Sequence, residues 1–110
     1  MSEHVPILVE PTLLILISLA NEPKHGYAIM QDILSLSCWE MRAGTLYGAL
    51  GRLERRGWIE EIQSEDYRRR PYALTAAGRK EVARQLDVLV NITNAGLKRT
   101  KNRAPKRRNA

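Results

Sequence analysis

The chain has 110 residues, which is room for one domain and little more. Its 44% hydrophobic and 27% charged residues are ordinary for a folded, water-soluble domain, and its single cysteine, Cys38, excludes an intrachain disulfide and fits a reducing compartment. The net charge of +6 is unevenly spread: residues 98–110 carry seven basic side chains and no acid, whereas residues 1–97 hold eleven basic against twelve acidic groups, a net of −1.

The longest apolar stretch, Val5 to Ala20, is interrupted by Glu10 and Pro11. It is too short to cross a hydrocarbon core of ~30 Å. Glu3 is the only charged side chain ahead of it, so the basic leader of a secretory signal is missing. The chain therefore reads as cytoplasmic, with no membrane partner. Within this stretch Pro11 to Ala20 reads as a helix that is apolar nearly all round and must be covered on several sides. Asn21-Glu22-Pro23 ends it.

Gly26 to Ser35 reads as a second helix with Ile29, Met30, Ile33 and Leu34 on one face. His25 just ahead of it is read as a core residue or a cap of this helix. A connection from Leu36 to Arg42 follows, its first residues able to continue the helix. Cys38 in it reads as a small, partly buried apolar residue. Trp39 and Met41 are placed to pack on the domain.

Thr45 opens a third helix that stops at Gly57, a C′ glycine. At about 100° per residue, Leu46, Ala49, Leu50 and Leu53 fall on one side, which must face the core. The opposite side carries Gly44, Gly48, Gly51 and Arg55, flanked by Thr45 and Arg52. Each of the two glycines inside this helix costs about 1 kcal/mol relative to alanine. One explanation is tight packing of another helix or loop. The other is that the bare backbone comes close to DNA in the major groove, with Thr45 at a phosphate or base edge and Arg52 and Arg55 at guanine edges or phosphates. Tyr47 lies between the two faces and reads as a core ring, a hydroxyl donor to phosphate, or both, the core ring first. Arg56 lies beside the apolar face as a solvated or phosphate-facing charge.

Residues 58–63 read as a strand, 64–67 as a polar turn, and Arg69 to Leu74 as the returning strand, with Arg70, Tyr72 and Leu74 on one face. Pro71 lacks an N–H, so this strand is expected at an edge or only partly paired. Arg68, Arg69 and Arg70 at the tip suit a phosphate backbone, unless they pair with Glu65 and Asp66 just before them. Thr75 is a good N-cap for a long final helix, Ala76 to Leu97.

The order is helix, helix, helix, strand, strand, long helix: a mainly α chain with a small β-hairpin, that is, a winged helix-turn-helix plus an extra C-terminal helix. The expected division is a winged-helix domain at 1–75, a dimerisation helix at 76–97 and a basic, disordered tail at 98–110. Val82, Leu86, Leu89 and Thr93 make a seam on the last helix suited to a partner helix. Val88, Val90 and Ile92 broaden the apolar surface beyond what one seam needs, and the apolar first helix of the partner copy, with Leu13 and Leu16, is expected to join the interface. The tail cations Lys98, Arg99, Lys101, Arg103, Lys106, Arg107 and Arg108 would add non-specific, salt-dependent affinity for phosphate or serve only solubility.

The chain resembles the PadR family of bacterial transcriptional regulators. The matching residues are His25-Gly26-Tyr27 with Ala28-Ile29, then Gly44-Thr45-Leu46-Tyr47 with Ala49-Leu50 and Arg52-Leu53-Glu54, then Gly57-Trp58-Ile59. Arg69-Arg70-Pro71-Tyr72-Ala73-Leu74-Thr75 and Ala77-Gly78-Arg79 complete the set. They span roughly residues 11–90. The chain departs from many relatives at Gly48, where they carry proline, and in lacking a glycine in the wing turn. The resemblance implies a homodimeric winged helix that represses transcription. A two-fold dimer would present two reading helices to half-sites about 34 Å apart, so its operator in double-stranded DNA should be an imperfect palindrome. Tyr27 would approach the DNA backbone, and the third helix would enter the major groove. It also implies a small-molecule effector in many relatives. Trp39 and Trp58 are the aromatics able to line such a site, although both read first as packing residues.

No cofactor, metal or catalytic residue is expected. The only histidines, His4 and His25, form no pattern with Cys38, and no glycine-rich phosphate loop or metal-spaced cluster occurs. The competing readings are a winged helix that binds a protein partner and an RNA-binding protein without an operator.

Overall fold

In a computed structural model, residues 9–66 and 69–102 are described. They form α1 (Pro11–Leu19), α2 (Gly26–Ser37), α3 (Ala43–Arg55), β1 (Ile59–Glu61), β2 (Tyr72–Leu74) and α4 (Ala76–Lys101).

α1 begins on a proline at its first position, where the missing N–H is no loss. It is the central post of the domain. Leu13, Leu14, Ile15, Leu16 and Leu19 are buried, and α2, α3, α4 and β2 all pack on it. This alters the expected interface. Leu16 has no exposed surface and Leu13 has 5%, so both belong to the core of their own chain. A helix apolar nearly all round needs cover on several sides, and here its own chain supplies most of it, leaving Pro11, Thr12 and Ile17 part-covered.

α2 starts at His25, whose Nδ1 accepts the Ala28 amide at 3.4 Å. The capping role expected for His25 is thus the one it takes. The helix continues through Ser37, two residues beyond the expected end, and closes on Cys38 in a left-handed conformation (φ 61°) whose amide donates to Leu34 O at 2.8 Å. Cys38 is exposed rather than partly buried: ending the helix turns its side chain outward.

α3 buries Leu46, Ala49, Leu50 and Leu53, the face expected from the periodicity. Its end is set by Gly57, at φ +77°. There the Gly57 amide donates to Glu54 O (2.9 Å) and the Trp58 amide to Leu53 O (3.1 Å), which satisfies carbonyls the helix leaves open. The chain then turns straight into β1.

β1 and β2 pair antiparallel, with Ile59 opposite Leu74 and Glu61 opposite Tyr72. The strands are shorter than expected, and Pro71 explains one end. Pro71 O accepts the Ile62 amide at 2.8 Å, but proline has no N–H to return the bond. β2 is nonetheless not an edge. Tyr72 exchanges two backbone hydrogen bonds with Lys24 (2.9 and 3.0 Å), so the turn between α1 and α2 supplies a third, one-residue strand. Lys24 also ties that turn together: its ammonium donates to Ser18 O and to Asn21 Oδ1, and it stands 3.8 Å from Asp32, which accepts from Ser18 Oγ.

Thr75 caps α4, its Oγ1 accepting the Gly78 amide at 3.0 Å and donating to Gly57 O at 2.6 Å. The helix runs to Lys101, four residues past the expected end at Leu97. Lys98, Arg99 and Lys101 occupy its last turn, where cations are favoured by the helix dipole, so they are helical rather than part of a disordered tail. α4 buries only Gly78 and Val82. Leu89 still packs part-buried against the core; beyond it nearly every residue of the helix is exposed.

Candidate nucleic-acid interface

The outer face of α3 is uncovered. A Cβ on Gly44 would meet nothing within 4 Å; on Gly48 it would meet only Arg52 Nη1 at 3.8 Å, and on Gly51 only Arg55 Nη1 at 3.5 Å. Tight packing of a neighbouring element, one of the two explanations for these glycines, is therefore absent among the described residues. Arg52 and Arg55 lie back along the helix over the bare backbone, as helical side chains tend to do. Thr45 is exposed at the first turn. Arg42, the N-cap residue of α3, is exposed as well. It was not singled out from the sequence, although a cation immediately ahead of a helix start, where the dipole disfavours it, is itself a signal.

Tyr47 is 53% exposed, not a core ring. It lies across the start of α2, where a Cβ on Gly26 would collide with its hydroxyl oxygen and stand 3.0 Å from Cζ. Gly26 is thus buried beneath Tyr47, and the outer face of α3 is continuous with the first turn of α2. There Tyr27 projects, 63% exposed, its hydroxyl oxygen accepting from Gln31 Nε2 at 2.9 Å.

The hairpin lies on the other side of that turn. Arg69 Nη2 stands 3.4 Å from His25 Nε2, so the wing touches the cap of α2. Arg70 pairs with Glu61 across the ladder at 3.4 Å. Tyr72 is half-buried between these elements, and burial, then Glu61, pushes its phenol above the ordinary value. Arg68 lies outside the described residues, as do Arg103, Lys106, Arg107 and Arg108. Arg56 stacks on the Trp58 ring, 5.0 Å from its centroid. Trp58 in turn lines a cleft of about 310 Å³ with Arg52, Arg56 and Gln85, in which Trp39 takes no part. Both tryptophans pack against the core.

Tyr27, Gly44, Thr45, Tyr47, Gly48, Gly51, Arg52 and Arg55 are thus exposed or half-exposed on α2 and α3, with Arg69 linked to them through His25. Among the described residues no group of His, Cys, Asp or Glu is placed to hold a metal ion. No helix among them is long and apolar enough to cross a membrane.

The model of the transcriptional regulator PadR-like family matches residues 15–84. The chain belongs to that family. Its members are DNA-binding regulators rather than enzymes. Among solved structures it is similar to a transcriptional regulator from Clostridium thermocellum, 27% identical with a TM-score of 0.70 over 79% of this chain and 86% of that one. It is also similar to RosR of H. salinarum, 30% identical with a TM-score of 0.68 over 76% of each chain. An uncharacterized 37.1 kDa protein in transposon TN4556 of Streptomyces fradiae is 38% identical over 81 residues. Those residues are 74% of this chain but 23% of that protein, so the PadR-like chain spans under a quarter of its curated relative.

Proposed function

We propose that this PadR-like chain binds double-stranded DNA sequence-specifically as a homodimer and represses transcription. The observation that carries the reading is the uncovered glycine face of α3. The fold gains nothing from glycine at 44, 48 and 51, and helix propensity disfavours it. A groove wall pressed against the helix accounts for it. Arg52 and Arg55, with Thr45 at the helix start, are then the base or phosphate readers. Tyr27, Tyr47 and the wing arginines Arg68, Arg69 and Arg70 hold the backbone on either side.

The dimer rests on α4. Leu86, Val88, Val90, Ile92 and Leu97 are exposed on it, and Leu89 and Thr93 continue the seam. A 26-residue helix extends about 39 Å, and an apolar surface of this extent on its free part calls for a partner. The partner proposed is the α4 of a second copy. Val82, although on the seam, is already buried in its own domain. A two-fold arrangement would set the two α3 helices at half-sites about 34 Å apart on an imperfect palindrome. The basic residues from Lys98 onward would add salt-dependent affinity.

The protein would act in the bacterial cytoplasm, on the nucleoid when bound, and release DNA on a small-molecule or stress signal. Arg52 lines the cleft beside Trp58, so a ligand seated there would draw it from the reading face.

Fluorescence anisotropy tests the reading, with the duplex upstream of the protein's own gene against a scrambled duplex at near-physiological salt. Preference for the native duplex, lost in Arg52→Ala/Arg55→Ala, is the expected result. Binding that ignores sequence and survives the double substitution would point to a protein-interaction module. Displacement of duplex DNA by structured RNA at equal salt would point to an RNA-binding protein.

A further inference from the structure

We infer that Gln31 is a positioning residue for DNA, acting through the Tyr27 hydroxyl. The inference rests on the proposed role of Tyr27 at the phosphate backbone. Tyr27 sits in the first turn of α2 and Gln31 one turn later, at i and i+4, the spacing at which helix side chains meet. Gln31 Nε2 donates to Tyr27 Oη at 2.9 Å.

The direction of this bond matters. A phenol has one proton to donate and lone pairs that accept. With a lone pair taken by the Gln31 amide, the phenol proton stays free for an external acceptor. A hydroxyl that accepts one hydrogen bond becomes a better donor in the next. The external acceptor that suits it is an anionic oxygen, because hydrogen bonds to charged acceptors are the stronger kind.

The fold itself has no use for the pair. Tyr27 is 63% exposed and Gln31 is exposed. Neither belongs to the hydrophobic core, and no other side-chain partner of either is seen among the described residues. The bond therefore restrains a rotamer on the surface, in the first turn of the helix that Tyr47 of α3 overlies. Restraining the phenol beforehand lowers the ordering cost of binding. A phosphate contact carries no sequence information, so the effect falls equally on all duplexes.

A double-mutant cycle on the full-length protein tests this, with anisotropy on the upstream duplex and on the scrambled one. Tyr27→Phe is expected to weaken binding about tenfold on both duplexes, the scale of a hydrogen bond to a charged group. Gln31→Ala is expected to weaken it about threefold, and to have no further effect in the Tyr27→Phe background. Gln31→Glu should be worse than Gln31→Ala, because a carboxylate takes the phenol proton and repels phosphate. If Tyr27→Phe weakens binding while Gln31→Ala is neutral, or is equally harmful with and without the Tyr27 hydroxyl, the positioning role is wrong and the Tyr27 contact stands. If Tyr27→Phe itself is neutral on both duplexes, the contact is wrong and the inference falls with it.

Discussion

The carbonyl oxygen of Trp58 occupies the place where a side chain on Gly78 would have to go; a Cβ there would collide with it and with Trp58 C, and press tightly on Trp58 Cα. The same carbonyl accepts the Thr75 amide at 3.0 Å. The start of β1 and the first turn of α4 are thereby locked together, so the wing and the projecting helix share one rigid joint.

Gly78→Ala should therefore destabilise the domain. The obstacle is backbone, which cannot swing aside as a side-chain tip can. Overpacking of this kind costs about 3 kcal/mol, a fall in melting temperature of roughly 10–20 °C for a domain of this size. Thermal unfolding by circular dichroism checks it. A melting temperature unchanged from the parent would mean that the joint is loose.

Gly48→Ala should do the opposite to the fold while harming function. Its Cβ would meet only the flexible tip of Arg52 at 3.8 Å, an ordinary contact. Replacing a helical glycine stabilises by roughly 0.5–1 kcal/mol. The variant is expected to melt higher and to bind DNA several-fold more weakly, measured on the same preparation. Higher stability with undiminished affinity would remove the reason proposed for the glycine face.

These two glycines show how far the sequence could be read. The apolar period of 46, 49, 50 and 53, the cap at Thr75 and the stop at Gly57 are local signals, and the helices follow them closely. The exposed α3 face was legible for the same reason. What depended on neighbours was not. Leu13 and Leu16 looked available to a partner because nothing in their own helix shows that four other elements surround it. Tyr47 looked like core because periodicity placed it at the margin, and only the packing over Gly26 decides its side. The Lys24–Tyr72 bridge joins residues 48 positions apart, with no local pattern to announce it.

Leu86→Asp should break the proposed dimer. Leu86 is 38% exposed on the single chain, so the monomer tolerates a charge there, whereas a dimer interface would bury it unpaired. Light scattering at micromolar concentration should show a mass near that of one chain, with the helical circular dichroism signal retained. An unchanged dimer mass would contradict the assignment of α4.

Acid should weaken the base of α4 in a defined window. Glu81 accepts from Arg84 Nη2 at 2.6 Å and from Gln85 Nε2 at 2.7 Å. The Arg84 hydrogen bond, then the Gln85 bond, hold its carboxyl down to about 2, against an ordinary value of 4.5. A carboxyl held below its unfolded value stabilises above that value and loses the contribution as pH falls through the folded one. Melting temperatures of the parent and Glu81→Gln should differ by a constant amount above pH 5 and converge between about pH 4.5 and 2. A difference that persists undiminished at pH 2 would show that the bonds to Arg84 and Gln85 do not set this titration.

The most direct test of a two-fold reader of DNA sequence is selection of bound duplexes from a random-sequence pool by the full-length protein at near-physiological salt, followed by sequencing. The expected result is one enriched motif, an imperfect palindrome with half-site centres about one helical turn apart, which disappears with Arg52→Ala/Arg55→Ala. A recovered pool no different in sequence from the starting pool would contradict the account, and would leave the basic C-terminal residues as the sole source of affinity for nucleic acid.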